Sequence, residues 1–279
     1  MKRRNVTGLI ALAAVLSLAC VDAQAFDESK YPEIVGQWRR PQGVGIQWDQ
    51  TKRLGPAQQP PLTPEYQAVF EASLKDQAAG GQGYDHTYKC IPAGMPRIMT
   101  VVFPMEIVIT PKITYLLFDY SMPRRIYTDG RDWPQELEPN FLGYSIGKWI
   151  DEDGDGRYDV LEIETRGMKG PRSYEASGIP LHENNQTVVK ERIHLDKGNP
   201  DILHDEITVI DDALVRPWSI TKKYRRERNP IWFDNNCSED NHHVTIGGEN
   251  YFLSGDGYLM PAKKGQTPPD LKYFKQSQK

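Results

Sequence analysis

The chain is short of several things, and each shortage removes a class of protein. Its 279 residues hold three cysteines, too few for a disulfide-dense mini-scaffold. Basic side chains are not in excess, with 34 Lys and Arg against 38 Asp and Glu, so no nucleic-acid partner is expected. Past residue 20 there is no apolar run of membrane-spanning length, and stable membrane insertion is not expected. Also missing are a G-x-S-x-G elbow, a phosphate-binding P-loop and a G-x-G-x-x-G opening a helix. Serine-nucleophile hydrolases and nucleotide enzymes are therefore poor fits. No internal repeat is present. What the chain does have is turn-formers (Gly 23, Pro 21) and ring-bearing side chains (Tyr 14, Phe 8, Trp 6), a mixture that favours many short elements around a real core.

The first 25 residues read as an export signal. Lys2, Arg3 and Arg4 precede the apolar stretch Val6 to Ala19, and Ala23-Gln24-Ala25 is a small-x-small cleavage pattern. Cleavage after Ala25 would start the mature chain at Phe26 and place it in the periplasm or outside the cell. Cys20 sits in a poor lipidation context, and Arg3-Arg4 is explained by the basic n-region as well as by twin-arginine export. Without Cys20 two cysteines remain, Cys90 and Cys237. In an oxidising compartment that even count predicts one disulfide; a reactive thiol is the alternative.

Residues 26–232 read as one domain and 233–279 as an irregular C-terminal extension. Glu33 to Asp49 suggests two short strands about a Pro-Gln-Gly turn. Thr63-Pro64-Glu65 starts a helix over about 63–79, with Tyr66, Val69, Phe70, Leu74 and Ala78 on one stripe. From 98 onward the pattern turns to period two. Strands are expected at 98–103, 105–109, 113–119, 125–128, 143–150, 158–165, 187–195, 203–210 and 218–225, without alternating helices. That excludes a parallel α/β fold and leaves an antiparallel barrel or sandwich.

Gly36-Gln37-Trp38, in the first mature strand, has the Gly-x-Trp form of lipocalin-type barrels. Further segments strengthen the likeness: Cys90-Ile-Pro-Ala-Gly-Met-Pro-Arg97, Arg124-Arg-Ile-Tyr-Thr-Asp-Gly-Arg131, Gly143-Tyr-Ser-Ile-Gly-Lys-Trp149, Leu161 to Thr165, and Glu191-Arg192. Over roughly residues 85–225 the chain resembles a group of secreted bacterial lipocalin-like, calycin-type proteins without a settled activity. The resemblance implies a mainly β, antiparallel lipocalin-like barrel with one N-terminal helix and an irregular tail. In such barrels the Trp plugs one end. The implied function is capture of a small apolar or aromatic molecule in the barrel.

Where that group often has a short Gly-Asp turn, this chain has an acidic loop. Asp151, Asp153, Asp155, Asp159 and Glu162 fall at positions 1, 3, 5, 9 and 12 of the twelve-residue calcium pattern. Gly156 stands at position 6, and Arg157 would lend its carbonyl at position 7. Calcium, which takes six to eight oxygens, suits such a crowd better than zinc. The flanks alternate like strands rather than helices, so a bare hairpin turn is the competing reading.

Candidates for chemistry lie on the strands. Arg125, Tyr127 and Arg131 could hold a carboxylate or phenolate, or form a salt-bridged edge. Glu191 alternates with Val189 and Ile193, an apolar face on which it acts as a general base or pairs with an arginine. Glu106 beside Val108 occupies a similar slot, and Arg192 adds a ligand-binding candidate. Glu191, His204 and Tyr127 are the acid–base candidates for an enzyme of lyase, isomerase or hydratase type that needs no organic cofactor. That enzyme is the alternative to a binding protein.

Overall fold

The computed structural model describes residues 26–232 and 235–269. The expected signal segment, 1–25, lies outside them. Twelve strands are described. The first nine are β1 (Gly36–Arg39), β2 (Met105–Ile109), β3 (Ile113–Phe118), β4 (Arg124–Tyr127), β5 (Tyr144–Ile150), β6 (Val160–Arg166), β7 (Val188–Asp196), β8 (Asn199–Ile210) and β9 (Trp218–Arg226). They close into a barrel in sequence order. Neighbours run antiparallel, including β1 against β9, except for a parallel pairing of β4 with β5. The expected mainly β barrel is therefore what forms, and its closure is compatible with the lipocalin-like expectation.

Two expected strands differ. Residues 98–103 are not a strand: Arg97–Thr100 is a tight helical turn. Ile98, Met99, Thr100 and Val101 are all buried. An apolar run buried on every side gives no period by which strand and helix can be told apart. Glu33 to Asp49 yields one strand rather than two, and the place left by 98–103 in the count of nine is filled by β1.

Period two does the rest. Ile163, Glu191, Ile207 and Ile220 lie opposite one another on successive strands, as do Leu161, Ile193, Asp205 and Lys222. These rows point inward, since strand side chains alternate faces. Trp38 is fully buried at the Arg226 end of β9: its Nε1 donates to Ile34 O at 2.8 Å, and the Arg226 guanidinium lies 4.4 Å above its ring. At the other end of β9, Trp48, Tyr174 and Trp218 pack at centroid distances of 4.9–6.2 Å.

The helix α1 (Pro64–Ala78) is capped as expected, with Thr63 Oγ1 accepting from the Tyr66 amide. Of its stripe only Phe70 is fully buried; beside it Ser73 Oγ donates to Ser177 O and accepts from the Tyr84 amide. The C-terminal extension is not irregular throughout. Its strands β10 (His243–Ile246), β11 (Glu249–Leu253) and β12 (Leu259–Pro261) form a second sheet. The β10–β11 turn is Gly247-Gly248, both at positive φ (58° and 85°), the backbone a two-residue hairpin requires. Cys90 and Cys237 are bonded, with Cα atoms 5.7 Å apart, so the expected disulfide ties this extension to the barrel flank.

Candidate functional site

The barrel interior is charged but packed. Arg124, from β4, crosses to Glu191 on β7; its Nη1 donates to Oε1 at 2.8 Å and its Nη2 to Oε2. Nη2 also donates to Thr165 Oγ1 at 2.9 Å, while Thr165 and Ser145 share a hydrogen bond at 2.8 Å. Both ionic side chains are at most 1% exposed. Below them sit Asp205, Lys222 and Tyr224, all fully buried. Lys222 Nζ donates to Trp48 O at 2.6 Å and lies 4.4 Å from the Trp48 ring. Tyr224 donates to Met99 O at 2.7 Å. Burial pushes the Lys222 ammonium down to about 7, against the pull of Asp205. Burial, helped by Glu191, drives the Asp205 carboxyl well up. Inward Asp205 and Lys222 were not singled out in the sequence. Their signal was there, since Leu203-x-Asp205-x-Ile207 and Ile220-x-Lys222-x-Tyr224 put both on the apolar parity of their strands.

The three acid–base candidates are not brought together. Glu191 is inside; His204 and Tyr127 are on the outer wall. His204 Nε2 lies 2.9 Å from Asp196 Oδ2, and its ring stacks on His194, its register partner across β7–β8. Tyr127 stacks on Tyr144 at 4.8 Å with the Arg131 guanidinium 3.8 Å above it. Arg131 is also bound by Asp129, and Arg125 is exposed. Glu106 is half-buried, 3.5 Å from Gln37 Nε2. Arg192 lies outside, held by Glu152 and Glu162 with Glu206 at 3.8 Å.

The acidic loop joins β5 to β6. Asp151, Asp153 and Asp159 bring one carboxylate oxygen each to within 4.8 Å of one another. Asp151 accepts from the Gly154 and Gly156 amides at 2.7 and 2.9 Å, and Asp159 from Glu152 at 2.8 Å. Asp155 stands apart, accepting from the Arg157 amide. Glu162 does not swing toward the trio, because β6 carries it outward to Arg192.

The concave surface with ligand-like walls is outside the barrel. A groove of about 440 Å³ runs beside the disulfide, with Ile91, Pro92, Val102 and Phe103 as apolar wall and Tyr88 and Tyr120 as rings. Asn241 and His243, from the extension, face them, and Arg97 lies at the edge. Asp85 neutralises Arg97 through two hydrogen bonds of 2.7 and 3.0 Å. The Phe103 and Tyr120 rings meet at 5.6 Å. The Tyr120 hydroxyl is buried without a well-formed hydrogen bond, and burial pushes it up to about 12. A larger groove, about 520 Å³, lies against Phe26, Tyr31, Val35 and Val108. One whole wall of it is the segment next to the expected cleavage point, which makes it the weaker candidate. Sequence reading places the binding site in the barrel and gives Phe103 and Tyr120 no role: Phe103 ends the strand expected at 98–103, which does not form, and Tyr120 follows directly on the strand expected at 113–119. The chain matches no family model, no curated protein and no solved structure, so what identifies it is its own architecture: a closed nine-stranded barrel with a disulfide-tied second sheet.

Proposed function

We propose that the protein binds a small apolar or aromatic molecule, and that it does so in the groove beside the disulfide rather than inside the barrel. One observation carries this reading: concave, mostly apolar walls with convergent rings and a few polar groups, beside a barrel whose interior is filled by its own side chains. Saturable binding of a naphthyl fluorophore is expected, weakened about tenfold by Phe103→Ala, the order set by losing one buried aromatic contact. Absence of saturable binding, or equal affinity in the variant, refutes the reading.

Two further parts belong to the proposal. Calcium is held at the β5–β6 loop by Asp151, Asp153 and Asp159, with carbonyls and water completing its oxygen shell, and pins the hairpin. Chelator then lowers the melting temperature of the wild type but not of Asp153→Ala; a wild type indifferent to chelator removes the ion. The protein works after export, so N-terminal sequencing of the cellular form should read from Phe26.

A further inference from the structure

Arg40 follows directly on β1 and is a cation without an acid. It spends three N–H groups on backbone carbonyls: Nε to Val101 at 2.8 Å, Nη1 to Val44 at 2.9 Å and Nη2 to Val102 at 3.3 Å. A guanidinium has five N–H donors, so two are left over. Among the described residues no carboxylate forms an ion pair with it, and burial lowers its pKa, as expected for a charge short of compensation. Its neighbour Arg39, by contrast, is paired with Glu227 at 3.0 Å.

Arg40 lines a cleft of about 300 Å³ whose wall includes Val102 and Phe103. Those same two residues form part of the apolar groove. That cleft, which also holds the Arg39–Glu227 pair, and the apolar groove therefore meet along one shared wall. Near the junction stands Tyr120, whose hydroxyl lacks a well-formed hydrogen bond and feels the Arg40 charge. Asp119, adjacent in the chain, is a carboxyl whose pKa burial raises, and its charge is felt at the Tyr120 hydroxyl beside that of Arg40.

Resting on the groove reading above, we infer that the ligand is an amphipathic anion: an aromatic or aliphatic carboxylate whose apolar body lies along Phe103 and Ile91 and whose head takes the two spare Arg40 donors and the Tyr120 hydroxyl. Charge-assisted hydrogen bonds to a guanidinium are about twice as strong as neutral ones, which separates such an acid from its own alcohol.

The test is calorimetric titration of the disulfide-bonded protein with naphthoate and with naphthylmethanol, read as the ratio of their affinities. Wild type should prefer the acid by about tenfold, the size of one charged hydrogen bond. The ratio should fall toward one in Arg40→Gln and drop several-fold in Tyr120→Phe. Arg40 also holds the 101–102 turn, so its variant is checked by melting; Tyr120→Phe removes an oxygen without a well-formed partner and serves if the arginine variant does not fold. Failure of both probes to bind overturns the groove itself. Equal binding of both by wild type leaves the groove and overturns the anion. An unchanged ratio in either folded variant also overturns it.

Discussion

Removing Glu191 tests the barrel's interior more sharply than any surface change. In Glu191→Gln, the Arg124 guanidinium keeps its contact with Thr165 but loses its counter-charge at a site where both partners are at most 1% exposed. Breaking a buried pair from one side costs about 3–5 kcal/mol. For a domain of this size each kcal/mol moves the melting temperature by about 2–4 °C, giving a fall of roughly 6–20 °C. Asp205 modulates the loss. Burial and the Glu191 charge hold its carboxyl well up, and the substitution removes the second cause. Asp205 then ionises at lower pH than in wild type and compensates Arg124, so the deficit shrinks as pH rises. The double variant Arg124→Met, Glu191→Leu removes both charges and leaves Ser145 and Thr165 satisfied by each other, so it should be more stable than Glu191→Gln. Urea unfolding at several pH values reads all three. A Glu191→Gln protein within about 1 kcal/mol of wild type throughout, or a double variant weaker than the single, refutes the account.

Two other expectations concern β9 and β5 of the same barrel. Lys222 is held at about 7 in the fold against 10.5 when free, so between those values the unfolded chain binds more protons and stability climbs with pH. The advantage of Lys222→Met over wild type should therefore shrink as pH is raised from 7 toward 10.5; a difference flat in pH counts against a burial-depressed lysine. Gly147 sits at the parallel seam, where a Cβ would come within 2.6 Å of Ile126 Cγ2 and 3.2 Å of Leu161 Cδ1. Gly147→Ala should cost about 1–3 kcal/mol by overpacking, and a neutral urea midpoint would show that the seam can yield.

The barrel was legible because its strands keep strict parity. Val189-x-Glu191-x-Ile193 puts a carboxylate among apolar neighbours, and the structure sets that carboxylate inside against Arg124. The helix start was readable from Thr63 and Pro64, whose capping chemistry is local. The pairing of Cys90 with Cys237 came not from parity but from a count of two cysteines in an expected oxidising compartment. The Gly247-Gly248 hairpin was readable in principle and overlooked, because the tail around it is short and polar. The groove was not readable at all. Its walls come from the connection before β2, the end of β3 and the extension after residue 235, brought together by closure of the barrel and by the disulfide.

The parallel β4–β5 contact settles a question of parity. Nine strands that each reversed direction would leave the first and last pointing the same way, and β1 could meet β9 only as a parallel partner. One non-reversal in the series restores the alternation, and β1 and β9 zip antiparallel. The non-reversal requires the chain to travel back along the barrel between Tyr127 and Tyr144, which a tight turn cannot do. The 128–143 segment is thus a return path rather than a decorative loop. A chain trimmed there to hairpin length would be forced to flip every strand after it, and the ring could no longer shut in the same way.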